Sequence, residues 1–414
     1  MAKSKSKNEH RIVSLLIVAC GLLYVFAYQF RLPFEADTFL YGMVGGLAVL
    51  VILTQRVALP KQGVLFLLVA LVSLFGWSYT TMPEEGQREA ILFVFFAGVF
   101  ILSYANTGLI KTFTKWIYLC SIVVALSSIV QFLLPMPFAW FLSLLAKKEA
   151  YHQFAWSYVI DNAYAGIAAY TANTTFSAAI VCGYSFLNIV GKNEQPVIKN
   201  KVLNIILLAL SLFAIILCSK RGVFVATLVA LVVLLFYLYR GKGFVLKFCG
   251  AAAVMALTLA ILYQANDTVA AFLNRFVGDD ITTGRDEIYK TIIEGFRDSS
   301  VLVGMGTGAT YQVAEQGAHN IYLQILYDHG LLLSIPYFAF LAYNYYSAFK
   351  MKCLLSIFVQ TIFLVYGMTG NPLYSNMFML IYIYFVLYAA KMPALSKEKA
   401  ASQKSNLQQG QSLQ

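Results

Sequence analysis

Charge is scarce in this sequence. Asp, Glu, Lys and Arg make up 12% of its 414 residues, against 60% hydrophobic residues and a mean hydropathy of +0.72. A water-soluble domain carries about 25% charge, so water is excluded as the main solvent of this chain. Cysteine is sparse and scattered: Cys20, Cys120, Cys182, Cys218, Cys249 and Cys353 fall mostly in apolar stretches and form no C-x-x-C pair. They read as small hydrophobes, with neither a disulfide framework nor a metal site indicated. Histidine is rarer still, with only His10, His152, His319 and His329. No two related halves are visible, which argues against the internally repeated transporters.

What is abundant is apolar sequence in membrane-length runs. A spanning helix needs about 20 mostly apolar residues. Twelve stretches qualify, near 12–30, 36–54, 63–80, 88–105, 112–134, 169–190, 202–219, 221–239, 244–263, 321–347, 351–369 and 373–391. The sixth is the most polar, through Thr171, Asn173, Thr174, Thr175 and Ser177. The run 136–147 is too short to span and reads as an interfacial helix, with Trp140 and Lys147 at headgroup level. The fold expected is therefore an all-α polytopic membrane protein of about twelve transmembrane helices. One long extracytoplasmic loop would contain amphipathic helices. Residues 1–263 would hold helices 1–9, 264–320 the loop, 321–391 helices 10–12, and 392–414 a disordered tail rich in Ser, Lys and Gln.

Basic residues orient this topology. With the amino terminus inside, the cytoplasmic segments hold 20 Lys/Arg and 3 acids, and the external segments hold 10 Lys/Arg and 15 acids. That asymmetry is what the positive-inside rule predicts, with both termini cytoplasmic. The net charge of +11 then reports topology and contact with anionic lipid, not nucleic-acid binding. The basic start, Lys3 to Arg11, precedes an apolar run with no small-residue cleavage site, and reads as a retained first helix.

Polar residues at membrane depth are functional candidates by default. Lys220 and Arg221 interrupt an apolar run from 202 to 239. Either they snorkel from a tight turn, or Arg221 points into a cavity to meet an anion, a task suited to its planar, always-charged fork. In the long loop, Thr283-Gly284-Arg285-Asp286 resembles a capping box. It predicts a helix to about Arg297 with Ile288, Ile292, Ile293 and Phe296 on one face, lying near the membrane surface. Arg285 would occupy its first turn, where backbone N–H groups favour a phosphate, or else pair with Asp286 or Glu287. Gly304-Met305-Gly306-Thr307-Gly308 lacks the Lys-Ser/Thr ending of a nucleotide loop and reads as a flexible turn. His319 stands at the external start of the tenth span, where it can take a proton near neutral pH. His329 lies inside that span beside Asp328.

Together these pieces resemble the O-antigen ligase and O-antigen polymerase superfamily. The resemblance rests on Cys218-Ser219-Lys220-Arg221-Gly222, Gly284-Arg285, Val303-Gly304-Met305-Gly306 and Ala318-His319-Asn320-Ile321-Tyr322-Leu323 with Gly330 following. It covers about residues 165–335. The resemblance implies a bacterial cytoplasmic-membrane glycosyltransferase with an extracytoplasmic site, using a glycan on undecaprenyl diphosphate and no metal, nucleotide sugar or other cofactor. Arg221 and Arg285 would hold the diphosphate, and His319 would be the general base or would orient the acceptor. Lys220, Asn320, Gly284, Asp328 and His329 would serve substrate binding. Partners would be the lipid-linked oligosaccharide, the bilayer and other polysaccharide-export membrane proteins. Polymerases of this kind often carry an arginine near a glycine in the earlier external loop, and Asp161 to Gly166 has none. The shortness of the motifs favours a polysaccharide polymerase (O-antigen or capsule type), with a ligase as the alternative. A transporter or flippase, and a metal-dependent enzyme using Glu35 and Asp37, are the rival readings.

Overall fold

The computed structural model describes residues 2–411 apart from 33–35, 55–58, 194, 240–241, 278–283, 299 and 316. Glu35 of the metal-dependent reading and the expected cap Thr283 lie outside the described residues. Among the described residues seventeen α-helices follow in order: α1 Ala2–Ala27, α2 Ala36–Thr54, α3 Lys61–Trp77, α4 Pro83–Tyr104, α5 Thr107–Leu133, α6 Pro135–Leu145, α7 Lys148–Val159, α8 Thr171–Ile189 and α9 Lys201–Leu217. These are followed by α10 Arg221–Leu238, α11 Lys242–Ala265, α12 Asp267–Asn274, α13 Arg285–Asp298, α14 Ile321–Leu333, α15 Ile335–Lys350, α16 Leu354–Tyr366 and α17 Asn376–Gln411. Among the described residues there is no strand. An apolar solvent dictates this, because a helix satisfies its own backbone groups where no water can.

Each of the twelve expected spans is helical, but twelve crossings do not follow. Among the described residues, six helices are long and apolar enough to cross a membrane alone, or up to seven if one bent pair counts as a span. Several of the others, such as Lys61–Trp77 and Leu354–Tyr366, are apolar but short. The chain is thus a multi-pass membrane protein. The polar α8 is buried along nearly its whole length. It packs between α5, α9 and α16, with Tyr184 stacked on Tyr118 and Phe176 on Phe378. Protein, not lipid, surrounds its threonines, which explains its low hydropathy. The first half of α17 is likewise buried from Met377 to Ala389. Its backbone helix continues to Gln411, over the stretch whose composition predicts disorder; Ala, Lys, Gln and Leu are all good helix formers.

The tenth expected span is broken. α14 and α15 meet at 110°, and Gly330 at the break has φ +63° and ψ −173°. The amides freed there find partners in the preceding loop: Leu331 donates to the Val301 carbonyl at 2.8 Å and Leu332 to that of Leu302 at 2.9 Å. The glycine run expected to be a flexible turn is instead a wedge driven into this break. Gly306 N–H donates to the Asp328 carbonyl at 2.8 Å, and the Thr307 hydroxyl donates to the Ser73 carbonyl at 2.7 Å. A Cβ on Gly306 would lie 2.7 Å from the Gly76 carbonyl oxygen, and one on Gly308 would lie 2.7 Å from the Gly86 nitrogen. Absence of side chains here serves close approach, not mobility.

α13 confirms the expected amphipathic helix, from Arg285 to Asp298. Its apolar face covers protein: Ile292 is buried with Ala309, Ala318 and Tyr327, with Ile288 and Phe296 packed beside them. Ile293 is 40% exposed, because one residue past Ile292 turns it about 100° off that stripe. The interfacial expectation near 136–147 corresponds to α6, on which Trp140 is 67% exposed. Its end is tied to the end of α1 by Arg31 Nε, which donates to the Ala146 carbonyl at 2.7 Å.

Candidate active site

α9 and α10 are separated by only Cys218, Ser219 and Lys220, so the chain reverses across three residues. Ser219 takes φ +57° to make the turn. Gly222 lets α10 approach the segment after α16; a Cβ there would run into the Thr369 hydroxyl. Arg275, just past the end of α12, donates through Nη1 to the Ser219 hydroxyl at 3.1 Å and carbonyl at 3.4 Å. Arg221 in turn donates to the Arg275 carbonyl and lies over the Phe276 ring, 5.9 Å from its centre. Each arginine thus holds the other's segment of chain.

Two further segments complete the wall. Residues 161–166 are drawn against the α9–α10 turn by Tyr164 N–H, which donates to the Leu217 carbonyl at 2.9 Å. The Cys218 thiol donates to the Tyr164 carbonyl at 3.3 Å. His319 has φ +49°, a left-handed conformation uncommon for residues with a side chain. Asn320 beside it caps α14, its side-chain oxygen accepting from Tyr322 and Leu323 N–H at 3.0 and 3.1 Å. That cap fixes the direction in which the chain leaves His319.

These elements enclose a cavity of about 120 Å³. Lys220, Arg221, Arg275, Arg285, Asp161, His319, Tyr366 and Thr369 line it. Among the described residues that line it, four basic side chains therefore face one carboxylate. Burial lowers the pKa of Lys220; Asp161 partly opposes this, while Arg285 and Arg275 lower it further. Burial also lowers that of His319, and the charges of Arg285 and Lys220 add to the effect. Burial is the larger cause of both shifts and the positive neighbours add to it, so a bound anion would relieve the electrostatic part of each. The imidazole is consequently neutral at neutral pH and able to accept a proton.

Arg221, Arg285 and His319, far apart in sequence, thus share one cavity, with Lys220 beside them. The structure does not bring the remaining candidates there. Asn320 uses its side-chain oxygen as a helix cap. Gly284 precedes Arg285 with φ +75° and supplies backbone geometry. Asp328 is fully buried, and its carboxylate anchors the wedge: Oδ1 accepts from the Thr310 N–H at 2.8 Å and hydroxyl at 2.7 Å, Oδ2 from the Gly308 N–H at 3.3 Å. His329 is buried against Tyr337, its Nε2 2.8 Å from that hydroxyl. A buried charge in a membrane protein invites a functional reading, but here both oxygens of Asp328 are occupied by loop donors.

Sequence reasoning missed Arg275, Asp161, Tyr366 and Thr369. For Arg275 a signal existed. It follows an Asn-capped amphipathic turn, with Asn266 Oδ1 accepting from the Val269 N–H at 3.1 Å, inside the loop already singled out. Asp161, Tyr366 and Thr369 carried no local signal.

No curated protein matches the chain. Residues 206–338 match the family model described as O-antigen ligase, a region that contains Lys220, Arg221, Arg275, Arg285 and His319. The match indicates an O-antigen ligase- or polymerase-type activity and hence a membrane glycosyltransferase-like enzyme. Over the third of its length that supplies most of the basic cavity, this multi-pass membrane protein resembles the O-antigen ligase and polymerase superfamily.

Proposed function

We propose that the protein is a polysaccharide polymerase of the bacterial cytoplasmic membrane, working on the extracytoplasmic side. It transfers a glycan from undecaprenyl diphosphate to a sugar hydroxyl of an acceptor repeat unit. The observation that carries this reading is the cavity itself, where Lys220, Arg221, Arg275 and Arg285 line one wall with His319.

The acceptor oxygen attacks the anomeric carbon from the face opposite the diphosphate. Its proton passes to the unprotonated ring nitrogen of His319, the bond from the anomeric carbon to the diphosphate oxygen breaks, and undecaprenyl diphosphate leaves with both electrons. One displacement inverts the anomeric centre. Negative charge grows on the departing diphosphate, so guanidinium groups fixed in a cleft stabilise the transition state more than the ground state. Arg221 and Arg285 fill that role, with Lys220 and Arg275 adding charge. No paired carboxylates of the glycosidase kind are required, and Asp161 is the one acid among the described residues that line the cavity.

The description of the matched family favours a second reading, transfer of the finished chain to lipid A core or another acceptor. Deleting the gene in its host and sizing the surface glycan separates the two. Single repeat units on the surface support the polymerase, and long chains left on their lipid carrier support the ligase. A surface glycan of normal length and attachment contradicts both.

A further inference from the structure

A second hollow lies away from the basic cavity, where the ends of α1, α2, α4 and α17 converge. It consists of two cavities of about 240 and 370 Å³ that share Arg88, Tyr374 and Asn376. This is the scale of ligand clefts, which begin at roughly 300 Å³. Among the described residues, none that lines the basic cavity lines either of these.

Its wall contains two buried polar atoms that ask for a ligand. Glu89 is only 3% exposed. Its Oε1 accepts from Gln324 Nε2 at 3.1 Å, but Oε2 has no hydrogen-bond partner among the described residues. Tyr374 is 9% exposed, and its hydroxyl is likewise without one. A buried carboxylate oxygen without a donor is destabilising. Arg88, a cation that lines both cavities, already acts on Glu89, and a fully ionised phosphate, which only accepts, cannot relieve the oxygen. A molecule rich in hydroxyls can, since each hydroxyl both donates and accepts. Tyr24, Tyr28 and Tyr311 add aromatic surface, which suits the C–H faces of a sugar ring.

The hollow is also tied to the basic cavity. Tyr311 lines the one and His319 the other, on a single connection of the chain; Thr369 and Tyr374 are divided in the same way on another. Gln324, which holds Glu89, accepts through Oε1 from the N–H of Ala318 at 3.4 Å, one residue before His319. We propose that this hollow is a carbohydrate subsite holding the acceptor glycan, with Glu89 and Tyr374 bonding its hydroxyls. The carbohydrate assignment comes from the wall; the word acceptor rests on the transfer reading above.

The test uses the purified full chain in lipid nanodiscs and two probes. One is the lipid-free, phosphate-free oligosaccharide released by mild acid from the host's own surface glycan; the other is inorganic pyrophosphate. Glu89→Gln and Tyr374→Phe should each weaken oligosaccharide binding roughly ten- to hundredfold, as for a lost hydrogen bond in a buried site. Pyrophosphate binding should persist in both, which also reports that they are folded. Oligosaccharide binding that is absent from the parent protein, or untouched by both substitutions, overturns the subsite. So does loss of pyrophosphate affinity in their place, which would make the hollow a phosphate site. Arg221→Ala and Arg285→Ala separate the two ideas. They should abolish pyrophosphate binding and leave the oligosaccharide bound; if pyrophosphate still binds, the transfer reading fails while the carbohydrate result stands.

Discussion

The Tyr289 hydroxyl lies 3.2 Å from the carbonyl oxygen of His319 and donates to it. It is equally close to the Met368 carbonyl. Tyr289 stands one helical turn after Arg285, on the same side of α13. A single side chain therefore joins the helix that carries one basic residue of the cavity to the backbone that carries the imidazole, and both to the segment before Thr369.

Removing that hydroxyl should disturb geometry more than folding. Tyr289→Phe is expected to lower kcat about tenfold, in line with the loss of one hydrogen bond, with membrane abundance unchanged. Steady-state kinetics with a lipid-linked donor check this. An unchanged kcat would show that Asn320 and the chain around it position His319 unaided.

Arg275 lines the basic cavity and holds Ser219 through its Nη1. Arg275→Ala should weaken pyrophosphate binding by about tenfold or more. Arg275→Lys should restore only part of it, since an ammonium does not reproduce the directional fork of a guanidinium. Binding to the purified protein measures both. Full affinity in the alanine variant would remove Arg275 from the anion site.

The lowered pKa of His319 gives the rate a predictable pH dependence. Its ordinary value is about 6.5, and burial with Arg285 and Lys220 nearby moves it below that. The imidazole is then an unprotonated base at neutrality, and kcat/KM should fall only as the pH drops below about 6.5 and the ring gains its proton. A bound diphosphate offsets the positive neighbours, so the acid limb of kcat should lie at higher pH than that of kcat/KM. Identical limbs would mean that no diphosphate sits beside His319. His319→Ala should lose the limb together with most of the rate.

Gly330 tests the wedge in the broken helix. Its φ is +63°, and a Cβ there would meet the Gly304 nitrogen and the Leu302 carbonyl carbon at 2.5 Å each. Backbone cannot swing aside as a flexible side chain can. Gly330→Ala should therefore destabilise the protein by more than the ~1–3 kcal/mol of ordinary overpacking and sharply reduce its abundance in membranes on immunoblots. Normal abundance would show that the loop is not locked into the break.

Legibility in the sequence followed the range of each interaction. Lys220-Arg221 between apolar runs, Gly284-Arg285 at a helix start and His319-Asn320 before a span are local patterns, and all three reach the basic cavity or its frame. The bend at Gly330 was invisible, because hydropathy along 321–347 is that of an unbroken span. Glycine composition at 304–308 could not tell mobility from close approach; the opposing backbone of Gly76 and Gly86 decides it, more than 200 residues away in the chain. Asp328 looked functional because its partners, Gly308 and Thr310, belong to a loop whose docking no local pattern announces. Arg275 and Asp161 join the cavity only through turns that tie them to residues 217–221. The count of crossings was equally hard to read, since apolar runs that face protein and apolar runs that face lipid have similar composition.

The most direct measurement is glycan transfer by Arg221→Ala, Arg285→Ala and His319→Ala, expressed in a deletion host, with membrane abundance followed alongside. Charge in the cavity and the neutral imidazole predict that each substitution abolishes assembly of the surface glycan while the protein remains in the membrane at its normal level. Full glycan assembly by all three variants would contradict the assignment of this cavity as the site of transfer.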